Sequence, residues 1–355
     1  MTAGAATTIA ESARRQQPGA PAAATGPARA SVVVPVKDEE ASVGRLLDGL
    51  LAQTLRPAEI VVADGGSSDG TREIVRRYGG GDARAPAVVL VEAGPALPGR
   101  GRNEAIARAA GEWVACIDAG IVPHPDWLKS LAEAAARDPG AEVVYGRYEA
   151  ATESYFEECA AVLYAPAPGE QTRSIASCLL ARAAWERAGR FREDLRSGED
   201  LLFFKRLEAA GARCTYAPDA VVYWSLQPDA ARTFRRFSTY SLNNLRAGLA
   251  REWQWNVTRL YLLLAVVAAV GALLWPPLLV VPPMALLARA SRRALRWYGA
   301  RGRAAALREA FNPRRVLTIA WINLVIDAAM FAGMARWLLA RGPAEDSARP
   351  GGPSI

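Results

Sequence analysis

From residue 30 the chain alternates short apolar runs with segments of helical periodicity. Residues 30–36 are apolar and β-branched, and the run closes with Pro35 and the charged cluster Lys37-Asp38-Glu39-Glu40. That pattern predicts a strand. Val43, Leu46, Leu47, Leu50 and Leu51 then recur at helical spacing, with Ser42 placed to cap the helix. The same reasoning gives strand over 59–63, a turn-rich loop over 64–70, helix over 71–78, strand over 87–92, helix over 101–110 and strand over 113–117. Strand and helix alternating through short connections predict an α/β domain with a mostly parallel sheet. In such sheets ligands bind beyond the carboxyl ends of the strands. The polar clusters at 37–40, 64–69 and 118–120 all fall there.

After residue 140 the order loosens, with strand over 142–148, helix over 199–210 and a last strand over 220–224. Residues 230–247 form a basic amphipathic pattern. Arg232, Arg235, Arg236 and Arg246 interleave with Phe234, Phe237, Tyr240 and Leu245. Such a helix either packs on the domain or lies at a membrane surface, and the apolar segments that follow favour the interfacial reading.

Residues 260–288 are almost uncharged and are broken by Pro276-Pro277 and Pro282-Pro283. As one helix they would run about 43 Å, too long for a hydrocarbon core of about 30 Å. They are too short for two full spans, which leaves a kinked span or a re-entrant hairpin. Residues 289–315 hold nine arginines against Glu309 alone, so this loop is expected on the cytoplasmic side. A cytosolic substrate for the preceding domain puts both flanks on one side and favours the hairpin. Residues 316–340 are a further apolar segment carrying Asn323, Asp327 and Arg336. An acid there is expected to pair with a nearby arginine. Residues 1–29 lack bulky apolar content and a signal-type apolar core, and are expected to be a disordered leader. The expected organisation is therefore leader 1–29, catalytic-type domain 30–228, interfacial helix 229–257, membrane segments 258–341 and tail 342–355.

Charge sharpens this division. The 355 residues carry 43 Lys+Arg against 36 Asp+Glu, a net of +7. Residues 251–355 hold 14 Arg against five acids, a net of +9, so residues 1–250 sum to −2. The basic balance belongs to the apolar third, where it sets topology, and no nucleic-acid surface is expected. His124 is the single histidine, and the four cysteines include no CxxC pair. A His-rich zinc site, a thiolate metal site and a disulfide framework are thereby disfavoured. Acid–base work must rest on carboxylates.

Three of the polar clusters supply them. Asp64 follows an apolar strand, where it can accept bonds from a base or ribose, or simply fix its turn. Asp118 ends the 113–117 strand and can hold Mg²⁺ or Mn²⁺ only if phosphates and water complete the shell. Arg100 and Arg102, opening a helix, suit a diphosphate. Glu199-Asp200 begin another helix, as first-turn acids or as a general base with an acidic neighbour.

The ordered set Ser31-Val-Val-Val-Pro35-Val36-Lys37-Asp38-Glu39-Glu40, Ile60-Val-Val-Ala-Asp64-Gly-Gly-Ser-Ser-Asp69-Gly70-Thr71, Gly99-Arg-Gly-Arg102-Asn103-Glu104-Ala105, Ile117-Asp118-Ala119-Gly120 and Gly198-Glu199-Asp200 resembles family 2 glycosyltransferases of the GT-A fold. The likeness spans about residues 30–248. It implies a Rossmann-like, mostly parallel domain followed by C-terminal membrane helices. It implies nucleotide contacts at Pro35, Val36, Asp38, Glu40 and Asp64, with Arg100, Arg102, Asn103 and Asp118 toward the rest of the donor. It also implies a divalent cation (Mg²⁺ or Mn²⁺) on Asp118, and Asp200 as base beside Glu199. Trp224, Arg235 and Arg236 fall on the acceptor or membrane side. Two departures matter: Gly65 stands where relatives often carry a second acid, and Asp118-Ala119-Gly120 replaces Asp-x-Asp. The Gln-x-x-Arg-Trp signature of polymerising synthases is absent, which implies addition of one sugar or very few. The implied activity is inverting transfer from a nucleotide-diphosphate sugar to a lipid-linked or membrane-proximal acceptor. The implied location is a cell membrane, with the catalytic domain cytoplasmic. A non-catalytic nucleotide-sugar binder is the alternative, and Glu199-Asp200 argues against it.

Overall fold

In a computed structural model that describes residues 27–80 and 85–340, the expected alternation is present. In chain order the elements are β1 (Ser31–Val36), α1 (Val43–Leu51), β2 (Glu59–Asp64), α2 (Thr71–Gly79), β3 (Ala87–Glu92), α3 (Pro98–Arg108), β4 (Trp113–Cys116) and β5 (Ile121–Pro123). Next come α4 (Trp127–Arg137), β6 (Val143–Ala151), α5 (Tyr155–Tyr164), β7 (Cys178–Ala181), α6 (Arg182–Arg187), α7 (Glu199–Ala209) and β8 (Cys214–Ser225). The C-terminal region is helical: α8 (Ala230–Arg246), α9 (Ala250–Trp253), α10 (Trp255–Leu273), α11 (Val281–Tyr298), α12 (Arg303–Ala310) and α13 (Pro313–Ala340). Most of the leader and all of the tail lie outside the described residues.

The eight strands form one sheet in the order β3-β2-β1-β4-β7-β6-β8-β5. β3, β2, β1 and β4 are parallel, and β7 joins β4 and β6 antiparallel. β8 runs parallel to β6, and β5 closes the edge antiparallel to β8. Because side chains alternate across a strand, β1 feeds two cores. Val32, Val34 and Val36 pack under Leu46, Leu47 and Leu50 of α1 and Leu128 and Leu131 of α4. Val33 joins Val61, Ile106 of α3, Trp185 of α6 and Phe203 of α7 on the opposite face. A sheet covered on both sides explains why β1 and β2 read as continuous apolar runs.

The structure differs from the sequence reading in several elements. β5, α4, α5, β7 and α6 were not expected. Helix α3 starts at Pro98 and not at 101, since proline is well suited to a first helical turn. β8 begins at Cys214, six residues before the expected strand, and runs through Pro218. Ser42 precedes α1 but makes no capping bond to it; its hydroxyl donates to the Glu39 carboxylate.

A third core joins α5, α8 and the C-terminal helices around Ile319, Ile322, Ile326 and Ala329 of α13. The α8–α13 contact is close. The Ser241 hydroxyl donates to the Met330 carbonyl at 2.8 Å, and a Cβ built on Gly333 would lie 2.5 Å from the Ser238 carbonyl oxygen. Asp327, buried in α13, accepts from Arg289 at 2.5 Å and from the Tyr261 hydroxyl at 3.0 Å. Residues 260–288 divide between α10 and α11, with the short turn Pro276–Val280 folding back on Gly271 of α10. By length and composition, α10 and α13 are long and apolar enough to cross a membrane. The first bares Leu262, Leu263, Val266 and Leu273. Gly333→Ala is expected to destabilise the fold by about 1–3 kcal/mol through overpacking, and thermal melting of the full chain, compared with wild type, checks this.

Candidate active site

The carboxyl ends of β1 and β2 are tied together by backbone-to-side-chain bonds. Asp38 sits at a φ of 55°, and its Oδ1 accepts from the Ser68 amide at 2.7 Å, while its own amide donates to the Ser67 hydroxyl at 2.9 Å. Asp64 is buried, and its carboxylate accepts from the Gly66 and Ser67 amides at 3.1 Å each. Glu40 accepts from the Gly70 amide at 2.8 Å, and the Glu39 amide donates to the Thr71 hydroxyl at 2.8 Å. The 64–71 loop is thus fixed in shape before any ligand arrives. In this structure Asp64 and Glu40 hold loops, and the wall they support is made by Pro35, Val36, Lys37 and Asp38.

The central feature is Arg102, on the first turns of α3. Its Nη1 donates to Glu199 Oε1 at 2.6 Å and its Nη2 to Asp118 Oδ1 at 2.7 Å. Only 5% of the Arg102 side chain is exposed, as is 5% of that of Glu199. The two carboxylates hold the guanidinium more firmly charged than usual despite its burial. Glu199 can start α7 here because Gly198 takes a φ of 85°, and a Cβ at that position would meet Asn244 Oδ1 of α8 at 2.6 Å. Beside Glu199, Asp200 accepts from the Leu201 amide at 2.8 Å. Burial raises the pKa of both acids above the usual carboxylate values, with the Arg102 charge opposing the shift. Burial, reinforced by the charge of Asp200, pushes the Tyr148 phenol up to about 12.

Of these groups, Arg102 and Asp118 line a cavity of about 710 Å³. Its floor is the β1 end, Gly101, Arg102, Asp118 and Ala119; Arg196 and Ser197 precede α7; Gln227 and α8 close the far side. From α8 come Arg232, Arg235, Arg236, Thr239 and Tyr240, a face at helical spacing. Arg236 donates from Nε to the Tyr240 hydroxyl at 2.7 Å and lies 4.7 Å over the Trp224 ring.

The expected site residues therefore divide. Pro35, Val36, Asp38, Arg102, Asp118, Arg235 and Arg236 line one cavity. Glu199, bonded to Arg102, and its neighbour Asp200 are not among the lining residues, and Trp224 supports Arg236 from outside the lining. Arg100 is half-exposed, 3.9 Å from Glu104, and does not line the cavity. Asn103 is buried away from it: its amide nitrogen donates to the Phe191 carbonyl and to Glu193 at 2.9 and 2.8 Å, and its oxygen accepts from Trp185 at 3.2 Å. Arg102 meets carboxylates where a diphosphate was expected. Sequence reasoning missed Arg196, Gln227, Arg232, Tyr240 and Tyr148. The i, i+3, i+4 spacing of the α8 arginines was the available signal, but it also fits a membrane-facing helix.

The donor set bears on a metal. Among the described residues no group of three His, Cys, Asp or Glu could hold one. Asp118 spends one oxygen on Arg102 and is 35% exposed, which leaves its other oxygen to share a cation with substrate phosphates and water. That arrangement suits a cation that arrives with a diphosphate.

Comparison with known proteins agrees with this geometry. The chain resembles the solved mannosyltransferase PcManGT from Pyrobaculum calidifontis, described in complex with GDP-Man and Mn²⁺. The TM-score is 0.53, at 22% identity over 90% of this chain and 91% of that one. Glycosyltransferase AglE of Haloferax volcanii is 26% identical over 260 residues, 70% of this chain and 82% of that protein. Validoxylamine A glucosyltransferase of Streptomyces hygroscopicus subsp. limoneus is 34% identical over 118 residues, 33% of this chain and 26% of its own length. Strand order, strand-end carboxylates and overall likeness define a glycosyltransferase with the GT-A fold. Residues 31–169 match the family model described as Glycosyl transferase family 2.

Removing the Arg102 charge leaves Glu199 buried without its partner, a change that typically costs about 3–5 kcal/mol. Arg102→Gln is expected to lower the thermal midpoint markedly, and Arg102→Lys to recover part of the loss. Equal melting of wild type and Arg102→Gln would contradict the central role of this bridge.

Proposed function

We propose that the chain transfers a single sugar, or very few, from a nucleoside-diphosphate sugar to a lipid-linked or membrane-proximal hydroxyl, with inversion at the anomeric carbon. The observation that carries this reading is the Arg102 bridge between Asp118 and Glu199, which sets Asp200 behind a cavity walled on its far side by three arginines of α8. The nucleoside lies against Pro35, Val36 and Asp38. Arg232, Arg235 and Arg236 meet the diphosphate with guanidinium forks. Asp118, together with that diphosphate, would hold a divalent cation, which would supply charge neutralisation for the leaving nucleotide. The GDP-Man and Mn²⁺ in the description of PcManGT support this class of donor and cation.

Asp200 takes the proton of the acceptor hydroxyl as its oxygen bonds to the anomeric carbon and the bond from that carbon to the diphosphate oxygen breaks. The guanidiniums of α8 receive the negative charge that develops on the leaving group. Burial keeps Asp200 more basic than an ordinary aspartate, which favours proton uptake from the acceptor. Glu199, held by Arg102, is a positioning residue that fixes the first turn of α7. Exposed apolar side chains on α10 and the length of α13 support membrane association, and with it an acceptor near the bilayer.

Asp200→Asn is expected to slow transfer roughly 10²–10⁴-fold while donor binding, measured by calorimetry, stays within a few-fold. Donor bound normally with no transfer by wild-type protein, across UDP-, GDP- and dTDP-sugars with Mg²⁺ or Mn²⁺ and membrane lipid, would favour a pure binder. The pH dependence follows from the raised pKa of Asp200. Transfer is lost as pH falls through that raised value, so the acid limb of kcat/KM is expected above the usual carboxylate range. The same shift costs stability above the unfolded-state value. Asp200→Asn is therefore expected to melt higher than wild type at pH 7, with the gap closing at acid pH.

A further inference from the structure

A second cavity, of about 770 Å³, lies between α10 and α11, outside the sheet domain. It is lined by Leu260, Ala285, Ala288 and four arginines, Arg289, Arg292, Arg293 and Arg296. The arginines follow the spacing i, i+3, i+4, i+7 and so share one face of α11. Their partners differ. Arg289 is neutralised by Asp327, at 2.5 Å, and Arg293 donates to the Leu163 carbonyl at 3.0 Å. Arg292 and Arg296 are exposed and form no ion pair among the described residues. The adjoining smaller cavity shares Arg293 and Arg296 and contains Glu170, whose carboxylate accepts from the Ala167 amide.

The same two helices are strongly apolar at their other ends. Leu273, Leu274, Trp275, Val280 and Met284 are all more than half exposed. The hairpin thus has an apolar tip and a cationic base, with the cavity at the base. A bilayer presents that order to an inserting element: hydrocarbon, then a layer of phosphates. Guanidiniums fit phosphate in bidentate fashion, and basic pockets between membrane helices take anionic headgroups. A free anion offers no match to Leu260, Ala285 and the exposed apolar belt that continues from the pocket.

We infer that the cavity between α10 and α11 is a binding site for an anionic phospholipid, whose phosphate is held by Arg292 and Arg296 and whose acyl chains lie along α10. The inference rests on the membrane reading given above. It is separate from the transfer site, since the two cavities share no residue.

The test uses the full chain. Whether the protein needs detergent to leave the cell membrane fraction tests the membrane reading alone; recovery in the soluble fraction overturns that reading and the lipid site with it. Detergent-purified protein is then offered equimolar phosphatidylglycerol and phosphatidylcholine, and retained lipid is counted by native mass spectrometry. Retention of phosphatidylglycerol is expected to exceed that of phosphatidylcholine about tenfold. Arg292→Gln/Arg296→Gln should abolish the preference, whereas Arg45→Gln/Arg137→Gln, which removes equal charge from the sheet domain, should keep it. Both arginine pairs are exposed, so both variants are expected to fold. A membrane-bound protein with no lipid preference, or one whose preference survives Arg292→Gln/Arg296→Gln, overturns the site. Displacement of the lipid by an equal concentration of inorganic phosphate overturns the lipid as its source.

Discussion

A single buried guanidinium organises the candidate site of this protein. Arg102 cannot shed its proton at any accessible pH, so its position inside the domain is possible only with anions fixed around it. Asp118 comes from the end of β4 and Glu199 from the start of α7, 81 positions later in the chain. The charge of Arg102 on α3 therefore clamps three separate elements at one point. A buried ion pair often adds little net stability compared with apolar packing, yet breaking one is severe. What such a bridge secures is geometry: the turn that carries Asp200 is set by a contact that tolerates no halfway state.

This clamp explains how much of the molecule was legible in sequence. The parallel half was readable because a strand buried on both faces must be continuously apolar, as residues 31–36 and 59–64 are. The strand-end acids were readable because nothing else in an α/β sheet places carboxylates there so regularly. Arg102 was noticed, but a basic residue on a helix opening satisfies an anionic ligand and a buried carboxylate equally well, and only tertiary structure decides between them. Asn103 differs again: its four side-chain hydrogen bonds go to three residues, Trp185, Phe191 and Glu193, and no local pattern announces a contact across more than 80 positions. The missed β5 and β7 have three and four residues, too short for periodicity to register. Helix α4 buries Trp127, Leu128 and Leu131 along with three alanines, and its Ala-rich second half blurs the periodicity that those three residues begin.

Helix α8 links the two halves of the protein. One face contributes Arg232, Arg235 and Arg236 to the transfer cavity, while Ser238, Ser241 and Leu242 press against α13. A basic, aromatic-rich amphipathic helix reads naturally as an element lying on a lipid surface. In the fold its arginines turn toward the sheet domain and its small residues toward another helix, so the same periodicity serves an internal interface.

The close seating of α13 on α8 has a geometric consequence. Gly333 leaves no room for a side chain, and the Ser241–Met330 bond pins the register of the two helices. Asn244 of α8 in turn sits against Gly198, one residue before Glu199. For a chain seated in a bilayer through α10 and α13, this run of contacts makes the protein a gauge of fixed height. If Asp200 is the base proposed above, its carboxylate would then stand at a constant level above the lipid, and an acceptor would be selected in part by how far its hydroxyl reaches from the membrane plane.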